Sequence, residues 1–269
     1  MILSDIQPQY FPRLNFFARM FESNQFIIKD EVQFVNKHRF TDGSRGVSHQ
    51  VHSPIKTNHG PVMLTVSAKK GSYLPISKTL VSYDQPWLKK QLNQIKHNYS
   101  KSPQFEPVFS EIQSILESGY ETVAKLNTTT ICWAVSRLLG VDPVGPEHMT
   151  LKSVNSLIDQ KLPGKLRHII LGTEVDVGAA YHQMSASEKI ARLCTIFGAT
   201  DYITGRTAYE SYLDLDVFSE RNINVRIQQW LCEPYAQQYM DVEEFTPNLS
   251  IIDLLMNCSP GEALDLLLP

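Results

Sequence analysis

Leu14, Phe17, Ala18 and Phe21 recur at spacings of three and four, which predicts an amphipathic helix over residues 13–22. Pro12 suits its first turn. A short run at residues 1–6 reads as a strand and leads into a proline-punctuated turn, Gln7-Pro8-Gln9-Tyr10-Phe11-Pro12. Residues 25–29 read as a second, buried strand. Strand, turn, helix and strand at this pitch predict a βαβ unit and hence a parallel sheet. Farther along, Val62, Leu64, Val66 and Ala68 alternate with Met63, Thr65 and Ser67, the pattern of a strand over 62–68. Helical spacing follows at 85–99, 105–116 and 122–139, the last stopping at Gly140, and again at 185–197 before Gly198. Residues 201–205 and 224–230 read as strands. A last helix opens over 250–256, with Ser250 as its N-cap and Asp253 at its third position.

Between residues 42 and 60 the pattern breaks into Gly, Ser, His, Asn and Pro, which predicts a long loop with a short strand near 47–51. With no repeat, low-complexity tract or linker to divide it, the chain is expected to be one domain over residues 1–269. The expected class is α/β, a Rossmann-like, mostly parallel sheet with flanking helices and a helical middle region.

Composition narrows the function classes. The 269 residues are 42% hydrophobic and 20% charged, which places the chain among ordinary globular proteins rather than disordered ones. No apolar run reaches the roughly 18–20 residues of a membrane-spanning helix, and the first residues lack a basic, then apolar, secretory signal. A cytoplasmic location is the resulting expectation. Formal net charge is −3, which argues against general affinity for nucleic-acid backbones; the pairs Lys69-Lys70 and Lys89-Lys90 read as solvated surface. Cys132, Cys194, Cys232 and Cys258 show no C-x-x-C spacing, and the first three, in apolar surroundings, are read as small packed hydrophobes.

Generic motifs are absent: no phosphate-binding or dinucleotide glycine loop, no H-E-x-x-H and no G-x-S-x-G. His49, His52 and His59 form the one cluster suggestive of a metal, but no cysteine or carboxylate completes a tetrahedral set, so no metal is expected. Two stretches say more. Residues 30–39 gather polar groups just past a predicted parallel strand, the end at which open α/β sheets bind ligands, and Gln7 ends the neighbouring strand. Residues 202–213 repeat the arrangement of strand, glycine turn and helix start, where free N–H groups at Gly205 would suit an anion or carbonyl oxygen.

These stretches also carry a resemblance. Gln7-Pro8-x-Tyr10-Phe11-Pro12-x-Leu14 followed by Phe16-Phe17, then Asp30-x-Val32-Gln33-Phe34, then Leu64-Thr65-Val66 with Lys69-Lys70-Gly71, is similar to successive blocks of the WbqC-like family. Trp87, Tyr99, Pro103-x-Phe105, Leu126-Asn127, Leu139-Gly140, Leu193-Cys194, Gly198-Ala199, Tyr202-x-x-Gly205 and Tyr212-Leu213 follow in that family's order. The best match closes the set: Pro234-Tyr235-x-Gln237, then Phe245-x-Pro247-x-Leu249-Ser250-Ile251-Ile252-Asp253-Leu254-Leu255. The chain departs from the pattern at Ile6, where the family carries His or Met, at Asn15, where it carries Gly, and over 37–46, and residues 157–182 look like an insertion or a diverged loop.

The resemblance implies a role in bacterial surface-polysaccharide (O-antigen, lipopolysaccharide) or small-molecule biosynthesis, with amide formation or acyl transfer as the suspected chemistry. An acyl or aminoacyl transferase acting on an amino sugar or related amine needs a base for the amine and donors for the developing oxyanion. Asp30 and Asp253 are the candidate bases and Lys37 the candidate cation. Gln7, Tyr10, Gln33, Gly205, Tyr212, Tyr235, Gln237 and Ser250 are the candidate substrate contacts, with Ser250 favoured as a helix cap over a nucleophile because no histidine is evidently poised beside it. No resident cofactor is expected; an acyl thioester on coenzyme A or an acyl carrier protein would serve as donor, and a nucleotide sugar as substrate. Two alternatives stay open, a non-catalytic binder of a sugar nucleotide or pathway partner, and an ATP-dependent ligase, although the paired-histidine phosphate motif of nucleotidyltransferases is absent.

Overall fold

The N-terminal βαβ pattern folds as read. β1 (Ile2–Ile6) leads through the Gln-Pro turn into α1 (Leu14–Glu22), whose buried face carries Leu14, Phe17, Ala18 and Phe21, and the chain returns as β2 (Gln25–Ile28). The structure is a computed structural model and describes residues 1–39, 45–69, 73–143 and 145–269. The start of the expected loop, at 42–44, and Lys70-Gly71 of the third family block lie outside the described residues. After β2 come two hairpins, β3 (Lys37–Arg39) with β4 (Arg45–Val47), and β5 (His52–Thr57) with β6 (Gly60–Thr65), both antiparallel.

The helical middle comprises α2 (Trp87–Tyr99), α3 (Phe105–Glu117), α4 (Val123–Leu138) and α5 (Leu151–Lys161). α4 is buried on nearly every side, as expected of a helix at the centre of a cluster. Thr122 accepts a hydrogen bond from Lys125 N–H at its start, and Gly140, at φ +72°, takes the left-handed turn that ends it. The chain re-enters the sheet as β7 (His168–Leu171), then forms α6 (Ala186–Phe197), β8 (Asp201–Thr204), α7 (Arg206–Ser211), α8 (Leu215–Ser219), β9 (Asn224–Ile227), α9 (Ile251–Asn257) and α10 (Pro260–Asp265).

β7, β2, β1, β8 and β9 make one five-stranded, all-parallel sheet in that order, flanked by helices as in Rossmann-like α/β folds. Strand alternation sends side chains to two faces. Phe26 and Ile28 join α1 and the helical middle in the larger core. Leu3, Ile27 and Tyr202 face the other way onto Ile190, Leu193 and Cys194 of α6 and Phe218 of α8.

Two expectations need correction. Residues 52–57 form β5 inside the stretch read as a loop. His52, Ser53, Pro54 and Lys56 disguise it, yet Ser53 through Lys56 are buried between β6, α2 and α9. Residues 157–182, expected as an insertion or diverged loop, contain the end of α5 and then β7, whose register on β2 runs Gln25↔His168 to Ile28↔Leu171. Its four residues are too few to show a period.

Candidate functional site

β1 lies between β2 and β8, so the first crossover leaves it on one side and β8 joins it on the other. Such a reversal of strand order opens a crevice beyond the carboxyl ends of the strands, where open α/β sheets bind ligands. A cavity of about 230 Å³ fills it. Asp5, Gln7 and Gln9 from β1 and its turn, Lys29 after β2, and Tyr202 and Thr204 of β8 form much of its lining. Arg19 of α1, Tyr212 beyond α7, and His49 and Gln50 before β5 also line it.

Asp5 organises the charge. It is the second-last residue of β1 and is 8% exposed. The Tyr202 hydroxyl donates to its Oδ1 at 2.7 Å, and Lys29 Nζ stands 3.3 Å from Oδ2. Burial alone would lower the Lys29 pKa, but Asp5 and Glu31 outweigh it and hold the ammonium above its ordinary value. Lys29 is therefore a fixed positive charge at neutral pH, suited to a carbonyl or phosphoryl oxygen and unsuited to nucleophilic attack. Burial pushes the Glu31 carboxyl up to about 7, against the opposing influence of its own backbone N–H and of Lys29.

The Gln-Pro turn is held rigidly. Asn127, fully buried on α4, donates through Nδ2 to the carbonyls of Pro8 and Gln50, at 3.0 and 2.8 Å. Gln50 Nε2 donates to Gln7 Oε1 at 2.7 Å. Phe11 adopts φ +38°, a strained value for a non-glycine residue, while its carbonyl accepts from the hydroxyls of Ser53 and Ser250. Gln9 Oε1 is buried in the cavity wall with no hydrogen-bond partner among the described residues. A buried acceptor left open costs about 1–3 kcal/mol, which a ligand N–H or O–H would recover.

The candidates from sequence divide into three groups. Gln7 and Tyr212 line this cavity; Gly205 lines a neighbouring one of about 540 Å³ that shares Arg19 and Ala208 with it. Arg19 lies against Gly205: a Cβ there would lie 2.8 Å from Nη2, so a side-chain cation stands beside this turn. Asp30 points elsewhere. Its carboxylate accepts from Thr173 N–H and hydroxyl, at 2.9 and 2.8 Å, and it lines a separate recess of about 380 Å³ with Lys125, Lys152 and Glu174. Lys37 and Gln33 are exposed near the β3–β4 hairpin and line neither the cavity nor its neighbour.

The remaining five sit in packed interior. Tyr10 is fully buried, its hydroxyl on Gln91 at 2.6 Å. Asp253, also fully buried, accepts from Tyr99, Tyr235 and Gln237, and Gln237 accepts in turn from the buried Lys56 ammonium. Ser250 caps α9 through Ile252 N–H. Asp253 therefore does not share a cavity with Gln7, Asp30 or Gly205, and the four do not converge. The residues that sequence reading passed over are Asp5, Gln9, Arg19, Lys29 and Gln50, while His49 was weighed only as a metal ligand. A carboxylate inside the short ILSDI strand and a lysine at the end of QFII were the visible signals.

The remaining chemistry is inert. Burial pushes the Cys132 and Cys194 thiols up to about 12 and Cys258 to about 11, as expected of packed cysteines. Among the described residues no group of three His, Cys, Asp or Glu side chains is placed to hold a metal ion, and no helix is long and apolar enough to cross a membrane. A larger recess, about 680 Å³ between β5–β6 and α2, is an open trough with Lys89 and Lys90 and no carboxylate in its lining. We place the candidate site at the smaller cavity because buried charge and strand ends meet there.

The chain is 26% identical over 255 residues to the uncharacterized protein Rv1507c of Mycobacterium tuberculosis, covering 94% of this chain and 91% of that one. No solved structure matches it. The family model for the WbqC-like proteins matches residues 7–264, from the Gln-Pro turn to α10. The chain belongs to the WbqC-like protein family.

Proposed function

We propose that the protein transfers an acyl or aminoacyl group to the amine of a small polar molecule, an amino sugar or related amine of bacterial surface-polysaccharide or small-molecule biosynthesis. The observation that carries this reading is the cavity at the strand reversal, where a buried carboxylate, a fixed ammonium and an unpaired amide oxygen stand together. Gln9 Oε1 would accept a hydrogen bond from the acceptor amine, and Asp5 would take the proton that the amine loses. Lys29 would stabilise the oxyanion that forms when the amine attacks the donor carbonyl. With a thioester donor, a C–N bond forms, the C–S bond breaks, and the thiolate leaves with the proton that Asp5 received.

The expected outcome is that Asp5→Asn and Lys29→Met each lower amide formation by about 100-fold or more, with far-UV circular dichroism unchanged. Mass spectrometry of a panel of amino sugars with acyl thioesters reads the product. Near-normal turnover in both variants would refute the assignment. A second reading, binding without chemistry, is favoured by one feature: Asp5 is already shared between Lys29 and Tyr202. It requires saturable ligand binding and no product from any donor, with or without ATP.

A further inference from the structure

Arg19 stands at the waist between the two cavities, and among the described residues its charge has no ion-pair partner. Its Nε donates to Gln228 Oε1 at 3.0 Å, and Gln228 Nε2 donates to the Asn15 carbonyl at 3.0 Å, so the guanidinium is held from behind. Its Nη2 lies against Gly205, where an added Cβ would come within 2.8 Å of it. Among the described residues no carboxylate comes within ion-pair distance of it; Asp5 and Glu22 act on it only at longer range. Burial lowers its pKa, yet a guanidinium stays charged throughout the physiological range. Asp5, the single carboxylate lining either cavity, is occupied by Lys29. A positioned, partly buried, unpaired guanidinium is the arrangement that recruits an oxyanion, because its planar fork matches phosphate oxygens two at a time.

The two cavities differ in character. The 230 Å³ one is mostly polar and falls below the roughly 300–1,000 Å³ usual for a small-molecule site. The 540 Å³ one is more apolar and includes Trp230 and the exposed Leu231. Trp230 is fixed by its indole N–H on the Leu266 carbonyl at 3.0 Å, which suits an aromatic surface for a flat ring. We propose that the two cavities are one bipartite site for a nucleotide carrying a pyrophosphate, with the pyrophosphate at Arg19, the nucleoside end in the chamber of Trp230, and the reacting end beside Asp5 and Lys29. This rests on the same cleft as the acyl-transfer reading and names the class of molecule it holds. Coenzyme A as donor carrier and a nucleotide sugar as acceptor both have this chemistry.

The test is calorimetric titration of the full chain with inorganic pyrophosphate, UDP and coenzyme A. Pyrophosphate and at least one nucleotide are expected to bind. Arg19→Gln is expected to weaken both by about tenfold or more, and Trp230→Ala to weaken the nucleotide while leaving pyrophosphate unchanged. Gly205→Ala, which crowds Nη2 without altering any charge, is expected to weaken pyrophosphate as well, and provides a second route should Arg19→Gln fold poorly. Preference for coenzyme A marks the site as the donor's, preference for UDP as the acceptor's. Absence of binding by all three probes, or wild-type affinity in both Arg19→Gln and Gly205→Ala, would overturn the proposal. Pyrophosphate binding that depends on Arg19, together with no amide product, would leave it standing and remove the transfer reading alone.

Discussion

Glu31 shows how one side chain couples this site to solution conditions. Its pKa in the folded chain is about 7 against an ordinary 4.5, with burial as the main cause. The folded state therefore holds this proton more tightly than the unfolded one. Stability from this group is greatest below about pH 4.5, falls as pH climbs towards 7, and levels off above. Glu31→Gln mimics the protonated form, so at pH 8 it is expected to stabilise the protein by about 2–3 kcal/mol, and at pH 4.5 to have almost no effect. Denaturant unfolding at the two pH values measures this; equal differences at both would mean that burial is not what Glu31 experiences. Residue identity alone conveyed little of this chemistry. Arg19 falls off the apolar stripe of α1 and reads as a solvent-facing charge. Its neighbours Gly205 and Gln228 lie about two hundred positions away, so its role exists only once the sheet is assembled.

At the level of elements, alternation along extended backbone explains why Asp30, the carboxylate singled out from sequence, lines a different recess from Asp5. Lys29 turns towards Asp5, so the next residue, Asp30, turns away and ties down the segment that follows β7 through Thr173. Asp30→Ala is expected to cost about 1–3 kcal/mol and to speed amide exchange at Thr173, with little change near Asp5. Loss of turnover in folded Asp30→Ala protein, without faster exchange, would return Asp30 to the chemistry. The family blocks behaved similarly. The Gln-Pro turn and the Tyr202-to-Gly205 run do border the cleft, whereas Tyr235, Gln237, Ser250 and Asp253 build the buried lattice that joins α9 to β5. A motif conveys which residues matter and not whether they face ligand or core. Helices were legible because caps such as Ser250 and stops such as Gly140 and Gly198 act over one turn of chain. β5 and β7 were hidden because their burial is imposed by distant partners.

Across the whole molecule, the parallel sheet separates two apolar cores, and the cleft forms where they meet at the strand ends. The class was readable from the first thirty residues, since a strand, an amphipathic helix and a second strand leave few topologies open. The order of the strands was not, because nothing local records that β8 returns beside β1.

That return has a consequence during synthesis. Ser4 and Ile203 meet across 199 positions, so one flank of the central strand stays bare until most of the polypeptide has left the ribosome. An unpaired strand edge recruits other chains. A version ending at residue 198 is therefore expected to self-associate on size-exclusion chromatography, and a monodisperse, folded product would show that the nascent chain shields this edge by other means.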